Sequence, residues 1–349
     1  MVEGAESVSE LRPPGEGEWV EFADDRRRLL LYGGPITDPV ATLARLGWEE
    51  FDLLSTERAL AAADPSEASR RAHLVAAGPV DEVSAALVDE VETDCLVALG
   101  GGRVIDTAKA VAAVSGAEVV AIPTTLSGDP ITGFHRLPAG REAEASGFVR
   151  PSLVIAYSDA MTSAPEAQLR ASAMNALAHG AESLYVPLAD PISREAALRG
   201  ASLIAGALDQ LPEDRDRAAL ALGAILCAIA VDRAAGIALH HVLGQTAVRV
   251  LGIPHADTYA ALLPHTMNAM RERAPEQLEA LAGALGTNPD HLEERIAGLG
   301  GNRHLGELGA DRDRLDEVVD QALARPELVR QTPGGVERSD LVAILEAAW

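Results

Sequence analysis

Along the first half of the chain, short aliphatic and β-branched runs alternate with stretches whose apolar positions recur at helical spacing. The strand-like runs are Leu29–Tyr32, Phe51–Leu54, His73–Ala76, Cys95–Leu99, Val119–Ile122 and Leu153–Ala156; Pro39–Leu46 and Asp81–Val91 carry the helical period between them. Such alternation predicts a parallel sheet with helices on both faces. Several runs, Cys95–Leu99 among them, are apolar at successive positions, as strands buried on both faces must be. After about Asp159 the strand-like runs stop. Ala- and Leu-rich helical patterns follow over Ala164–Tyr185, Ser193–Leu211, Arg215–Arg233, His255–Met270 and Pro275–Leu285. The last pattern starts near Ser339, a plausible N-cap, with Asp340 suited to the positive end of the helix. Gly298–Gly301 reads as a loop and Pro333–Gly335 as a turn. The change of pattern divides the chain into an α/β domain, residues 1–160, and an all-α domain, residues 161–349.

Composition sharpens this. Apolar residues make up 48% of the chain but aromatics only 3%, so the core must be built from Ala, Leu, Val and Ile. The formal net charge of −24, with no basic stripe, excludes a nucleic-acid binder. The most apolar stretch, Ala218–Val231, is bounded by Arg217 and Asp232 and is too short to span a bilayer, so no membrane partner is expected. Cys95 and Cys227 lie in apolar runs and read as buried small hydrophobes rather than a disulfide. With a polar N-terminal stretch, this points to a reducing cytoplasm. Lys109 is the sole lysine in a chain that otherwise uses Arg, which reads either as a place where a guanidinium does not fit or as chance.

Chemistry enters at Gly100-Gly101-Gly102, between a buried strand and a helix. Glycines let a backbone approach a phosphate, and a first helical turn offers free N–H groups and a positive dipole end. Spacing alone leaves an ordinary tight turn equally open, and the run is not the GxGxxG fingerprint. Asp106 and Lys109 follow on the same helix. After the next strand comes Pro123-Thr124-Thr125-Leu126-Ser127-Gly128, at the carboxyl edge where open α/β sheets bind ligands. Its hydroxyls suit a ribose or phosphate, or simply a Ser/Thr turn.

Five of the nine histidines, His179, His240, His241, His255 and His265, fall in one stretch of the helical half. Asn175 and His179 share a helix face. Three imidazoles and an amide around one point would suit proton transfer or a transition metal, although an amide binds a divalent cation less well than a carboxylate.

Taken in order, the motifs resemble the iron-containing (group III) alcohol dehydrogenase superfamily, and most nearly its maleylacetate reductase branch. They are Tyr32-Gly-Gly, Ser55-Thr56, the glycine run through Ala110, Pro123–Gly128, Ser172–Tyr185, Ile237–Gly244 and Gly252–His265, and they span nearly the whole chain. The resemblance implies a dehydroquinate synthase-like fold: an N-terminal α/β dinucleotide-binding domain and an all-α C-terminal domain. It implies NAD or NADP held by Gly100, Gly101, Gly102, Asp106, Lys109, Thr124, Thr125, Ser127 and Thr56. Asn175, His179, His241 and His255 stand at the family's ligand positions for a divalent Fe or Zn; the reductase branch also carries Asn there and is described as working without a tightly held metal. The sequence departs from the family at Arg103, Glu142, Gln245 and Tyr259, where Ser, Lys, His, and His or Asn are usual.

The expected activity is hydride transfer from NAD(P)H to a small carbonyl or enone, with His241, His255 and His240 meeting the developing charge. Arg141 is a candidate for holding a substrate carboxylate. The expected partners are a small-molecule substrate and a second copy of the chain in a homodimer. Two other classes compete: an NAD-retaining lyase or cyclase of the dehydroquinate synthase type, and a dinucleotide-binding homologue that has lost its chemistry.

Overall fold

The computed structural model describes residues 2–5 and 7–349; Met1 and Glu6, part of the polar N-terminal stretch, lie outside the described residues. The chain forms two compact units, Met1–Ser163 and Ala164–Trp349.

Unit 1 is built on strands β1 (Val2–Ala5), β2 (Trp19–Ala23), β3 (Arg28–Tyr32), β4 (Asp52–Ser55), β5 (Arg71–Leu74), β6 (Cys95–Gly100), β7 (Glu118–Pro123) and β8 (Leu153–Tyr157). Its helices are α1 (Pro39–Arg45), α2 (Glu57–Leu60), α3 (Val80–Leu87), α4 (Gly102–Ser115) and α5 (Ser158–Met161). The strands form one sheet in the order β1-β2-β3-β8-β7-β6-β4-β5. Every pairing is parallel except β2 with β3; Leu29–Tyr32 of β3 is among the strand-like runs above, whereas β1 and β2 are not.

Period-two alternation splits each central strand between two cores. Val97 and Leu99 of β6 pack with Leu53, Ile122 and Tyr157 on one face. Leu96 and Ala98 pack with Val104, Ile105, Ala108 and Val111 of α4 on the other. The helix expected over Asp81–Val91 stops at Leu87 and tightens into a 3₁₀ turn, Val88–Glu90, before an extended Val91.

Unit 2 is all helix: α6 (Glu166–Glu182), α7 (Pro191–Leu208), α8 (Arg217–Ala234), α9 (Leu239–Leu251), α10 (His255–Met270), α11 (Pro275–Ala284), α12 (Leu292–Gly300), α13 (Leu315–Leu323), α14 (Pro326–Gln331) and α15 (Arg338–Ala347). The apolar α8 is buried almost all round. Small residues let its neighbours close on it. A Cβ on Gly200 of α7 would stand 2.7 Å from the Gly223 carbonyl of α8, and one on Gly180 of α6 would stand 2.8 Å from the Cys227 sulfur. Asp190 caps α7 in a capping box with Ser193, behind Pro191. Asp216 caps α8.

Two local expectations are corrected. Glu337, not Ser339, caps α15, because Asp340 reaches back to the Glu337 N–H at 2.8 Å and closes a capping box two residues earlier. Gly298–Gly300 is helical rather than loop: Gly300 packs beside Met174, where a Cβ would sit 3.1 Å from its Cγ, and Gly301 supplies the left-handed cap at φ 82°. Among the described residues no single helix is long and apolar enough to cross a membrane.

Candidate active site

In unit 1, β6 runs into α4 through Gly101, the N-cap, and no side chain caps that helix end. Its first turn therefore keeps backbone donors for another partner. The loop after β7 lies against this turn. Thr124 donates its N–H to the Gly100 carbonyl at 2.9 Å, and Thr125 bonds Ser127 at 3.2 Å. A Cβ on Gly101 would stand 3.1 Å from the Thr125 methyl, and one on Gly102 would overlap the Asp129 carboxylate at 2.0 Å. The two loops touch at these glycines. Thr56 sits at the end of neighbouring β4, where its hydroxyl caps α2.

Lys109 is fully buried. Its ammonium donates to the carbonyls of Asp129, Thr132 and Phe134 at 3.0, 3.0 and 2.8 Å and pairs with Asp106 at 2.7 Å. Convergent carbonyls suit a compact ammonium, not a planar guanidinium, which accounts for the lone lysine. Lys109, expected among the coenzyme contacts, instead has its N–H donors occupied by the chain and pins the loop that faces α4. Asp106 is pushed up to about 7, first by burial and then by the charge of Asp129.

Arg141, the candidate for a substrate carboxylate, is occupied. It makes two 3.1 Å bonds to Asp89 and pairs with Glu144.

In unit 2, Asn175, His179 and Glu182 lie along one face of α6. Glu182 is fully buried and was not singled out in the sequence, although a carboxylate three residues after His179 in an apolar run is a visible signal. It does two things. It accepts the backbone N–H groups of Ala238 and His240, at 3.0 and 2.6 Å, so a side chain of α6 caps the start of α9. It also accepts His241 Nδ1–H at 2.6 Å. That bond sets the tautomer and leaves Nε2 as the nitrogen open to chemistry.

His241 stacks on His179 with ring centroids 4.5 Å apart and planes 9° from parallel. His240 crosses His241 edge-on and bonds Thr266 through Nδ1 at 3.0 Å; Thr266 in turn donates to the carbonyls of α10. Tyr259, also buried, packs against His240, His241 and His255. His265 is turned away to Glu293, at 2.7 Å.

Burial, and then the charges of neighbouring imidazoles, hold His179 and His240 well below the usual histidine range, so both are neutral at neutral pH. Asn175 Oδ1, His179 Nδ1, His240 Nε2 and His241 Nε2 are buried without hydrogen-bond partners. Each such atom costs about 1–3 kcal/mol, which a fold retains where a ligand supplies the missing partner.

The expected metal set does not fit. Imidazole lone pairs lie in the ring plane, and the planes of His179 and His241 are parallel and stacked, so the two cannot meet at a point about 2.1 Å from both nitrogens. Asn175 adds a neutral amide, and among the described residues no group of three His, Cys, Asp or Glu is arranged to hold a metal.

Comparison with known proteins places this geometry. Residues 170–349 match the Fe-containing alcohol dehydrogenase family, C-terminal, and residues 56–156 match iron-containing alcohol dehydrogenase. The chain is 33% identical over 278 residues to maleylacetate reductase 1 of Rhodococcus opacus, covering 77% of each. It is 31% identical to a maleylacetate reductase of Pseudomonas aeruginosa over 95% of this chain and 98% of that one. The crystal structure of maleylacetate reductase from Agrobacterium tumefaciens superposes with a TM-score of 0.79 at 28% identity, covering 97% of this chain and 99% of that one.

Proposed function

The chain belongs to the iron-containing alcohol dehydrogenase family and is an NAD(P)-dependent oxidoreductase; from that premise we propose that it reduces a small carbonyl or enone carboxylate of the maleylacetate kind, with His241 as proton donor. The observation that carries this reading is the His241 imidazole, backed by buried Glu182 and presenting an unpartnered Nε2 among neutral histidines.

The dinucleotide, when bound, supplies the hydride. In unit 1 the open first turn of α4 and the hydroxyls of Thr124, Thr125 and Ser127 would hold its phosphates and ribose. Hydride addition leaves negative charge on the substrate oxygen. His241 meets it by passing a proton from Nε2, while Glu182 holds the ring in place through Nδ1–H. His240, His179 and Asn175 carry the neutral polar atoms that orient the substrate. No step runs through a metal. The relatives are reductases, and nothing in the site favours the lyase reading. A homodimer in the cytoplasm completes the proposal, and light scattering on purified protein reads the oligomer.

The direct test adds NADH or NADPH and follows coenzyme fluorescence, then measures oxidation of NAD(P)H by maleylacetate. Binding of one or both coenzymes is expected, and His241→Ala should lower kcat by about 10²–10⁴. A protein that binds neither coenzyme, or a His241→Ala variant with full turnover, overturns the reading.

A further inference from the structure

A substrate that carries a carboxylate needs a cation beside it: His179 and His240 are held neutral, and His241 is committed to the reacting oxygen. Arg141 is spent on Asp89 and Glu144 in unit 1. Within unit 2, the cation linked to the histidine cluster is Arg325. It lies between α13 and α14, where it caps α14 ahead of Pro326 and bonds its own N–H to the Ala322 carbonyl at 3.1 Å. The root of the side chain is therefore fixed.

The guanidinium donates through Nη1 to Gln245 Oε1 at 2.7 Å. Gln245 lies one turn after His241 on α9, and its amide also bonds the Tyr259 hydroxyl. Glutamine can accept from a guanidinium and donate to a phenol at the same time. Tyr259 then packs on His240, His241 and His255. Gly244 makes room for that ring, since a Cβ there would meet its Cε2 at 2.9 Å. Gln245 and Tyr259, two of the departures noted in the sequence, are thus partners in one chain of contacts that ends on an arginine.

Arg325 is also under-compensated. Arg215 and Arg295 each bind both oxygens of a carboxylate, at 2.6–2.9 Å. Arg325 instead has a neutral amide and one 3.4 Å contact to Glu327, and its side chain keeps 22% exposure. Much of its planar fork remains available for a second anion.

We propose that Arg325, oriented by Gln245, binds the carboxylate of the substrate and makes the site selective for carboxylated carbonyl compounds. The inference rests on the reductase reading and names the residue that confers substrate class.

Maleate serves as a non-reducible dicarboxylate probe, titrated calorimetrically into the NADPH-saturated enzyme, wild type against Arg325→Gln and Arg325→Lys. Saturable binding to wild type is expected, weakened about 10–100-fold in Arg325→Gln and less in Arg325→Lys, which keeps the charge but loses the fork. Melting temperatures confirm that the variants are folded, and their affinities for NADH and NADPH should stay within about twofold of wild type. Absence of maleate binding to wild type, or equal binding to Arg325→Gln, overturns the proposal. So does a loss confined to NADPH, which would put the guanidinium on the coenzyme's 2′-phosphate. Failure of wild type to bind either coenzyme strikes instead at the reductase reading.

Discussion

Glu182 carries two duties that a substitution can separate. As an acceptor of backbone N–H groups it starts α9; as the partner of His241 Nδ1 it decides which imidazole nitrogen is free. Glu182→Gln keeps the shape but replaces the carboxylate that accepts His241 Nδ1–H, and its amide can force the other tautomer. We expect kcat to fall by about 100-fold with coenzyme affinity unchanged, since partners behind a reacting histidine typically matter at that level. Steady-state kinetics beside a coenzyme titration read both. Asp106 gives a pH signature at the same scale. Its carboxyl stands at about 7 in the fold against an ordinary 3.8, because burial and Asp129 disfavour the charge. The native state therefore binds this proton more tightly than the unfolded chain. The associated stability is full below the ordinary value and is lost as pH rises through about 7. Asp106→Asn should lack that slope, so its melting temperature should gain on wild type between about pH 4 and pH 8, as read by scanning calorimetry.

Among elements, the contact between α4 and the loop after β7 is the sensitive one. A methyl group on Gly102 would displace the Asp129 carboxylate, which stands where it would go. Gly102→Ala should push the loop off the first turn of α4 and weaken coenzyme binding about tenfold or more, a change that fluorescence titration detects. A comparable loss of room at Gly200, between α7 and α8, would strain the helix pair itself and show as a lower melting temperature. The two glycines differ in consequence because one faces a ligand-binding turn and the other a core. The helix periods that locate α4, α7 and α8 are legible in the sequence. The caps are legible only in part: Asp216 is a local device, whereas the start of α9 is capped by Glu182, far away in the chain.

At the scale of the molecule, the family is iron-containing by name, yet this chain's ligand positions hold a neutral amide and three imidazoles, two of them stacked. We expect purified enzyme to contain iron and zinc well below one per chain and to keep its activity after exhaustive chelation. Elemental analysis with a chelator control checks this, and activity that is lost to the chelator and restored by one metal would show the opposite.

The sequence by itself determined what depends on near neighbours: strand and helix periods, the switch from α/β to all-α, the glycine turn, and the order of motifs that identifies the family. Burial follows from side-chain alternation, so both faces of β6 were readable from six residues. The tertiary structure decided what depends on residues distant in the chain. It turned Lys109 from a coenzyme contact into a buried lock, because the three carbonyls it bonds come from the next loop. It removed Arg141 from the substrate by placing Asp89 beside it, and it brought Glu182 to His241 and Arg325 to Gln245. Periodicity is a local property, written into consecutive residues. Hydrogen-bond partnership and desolvation are set by whichever groups the fold brings within about 3 Å, and no spacing rule along the chain encodes them.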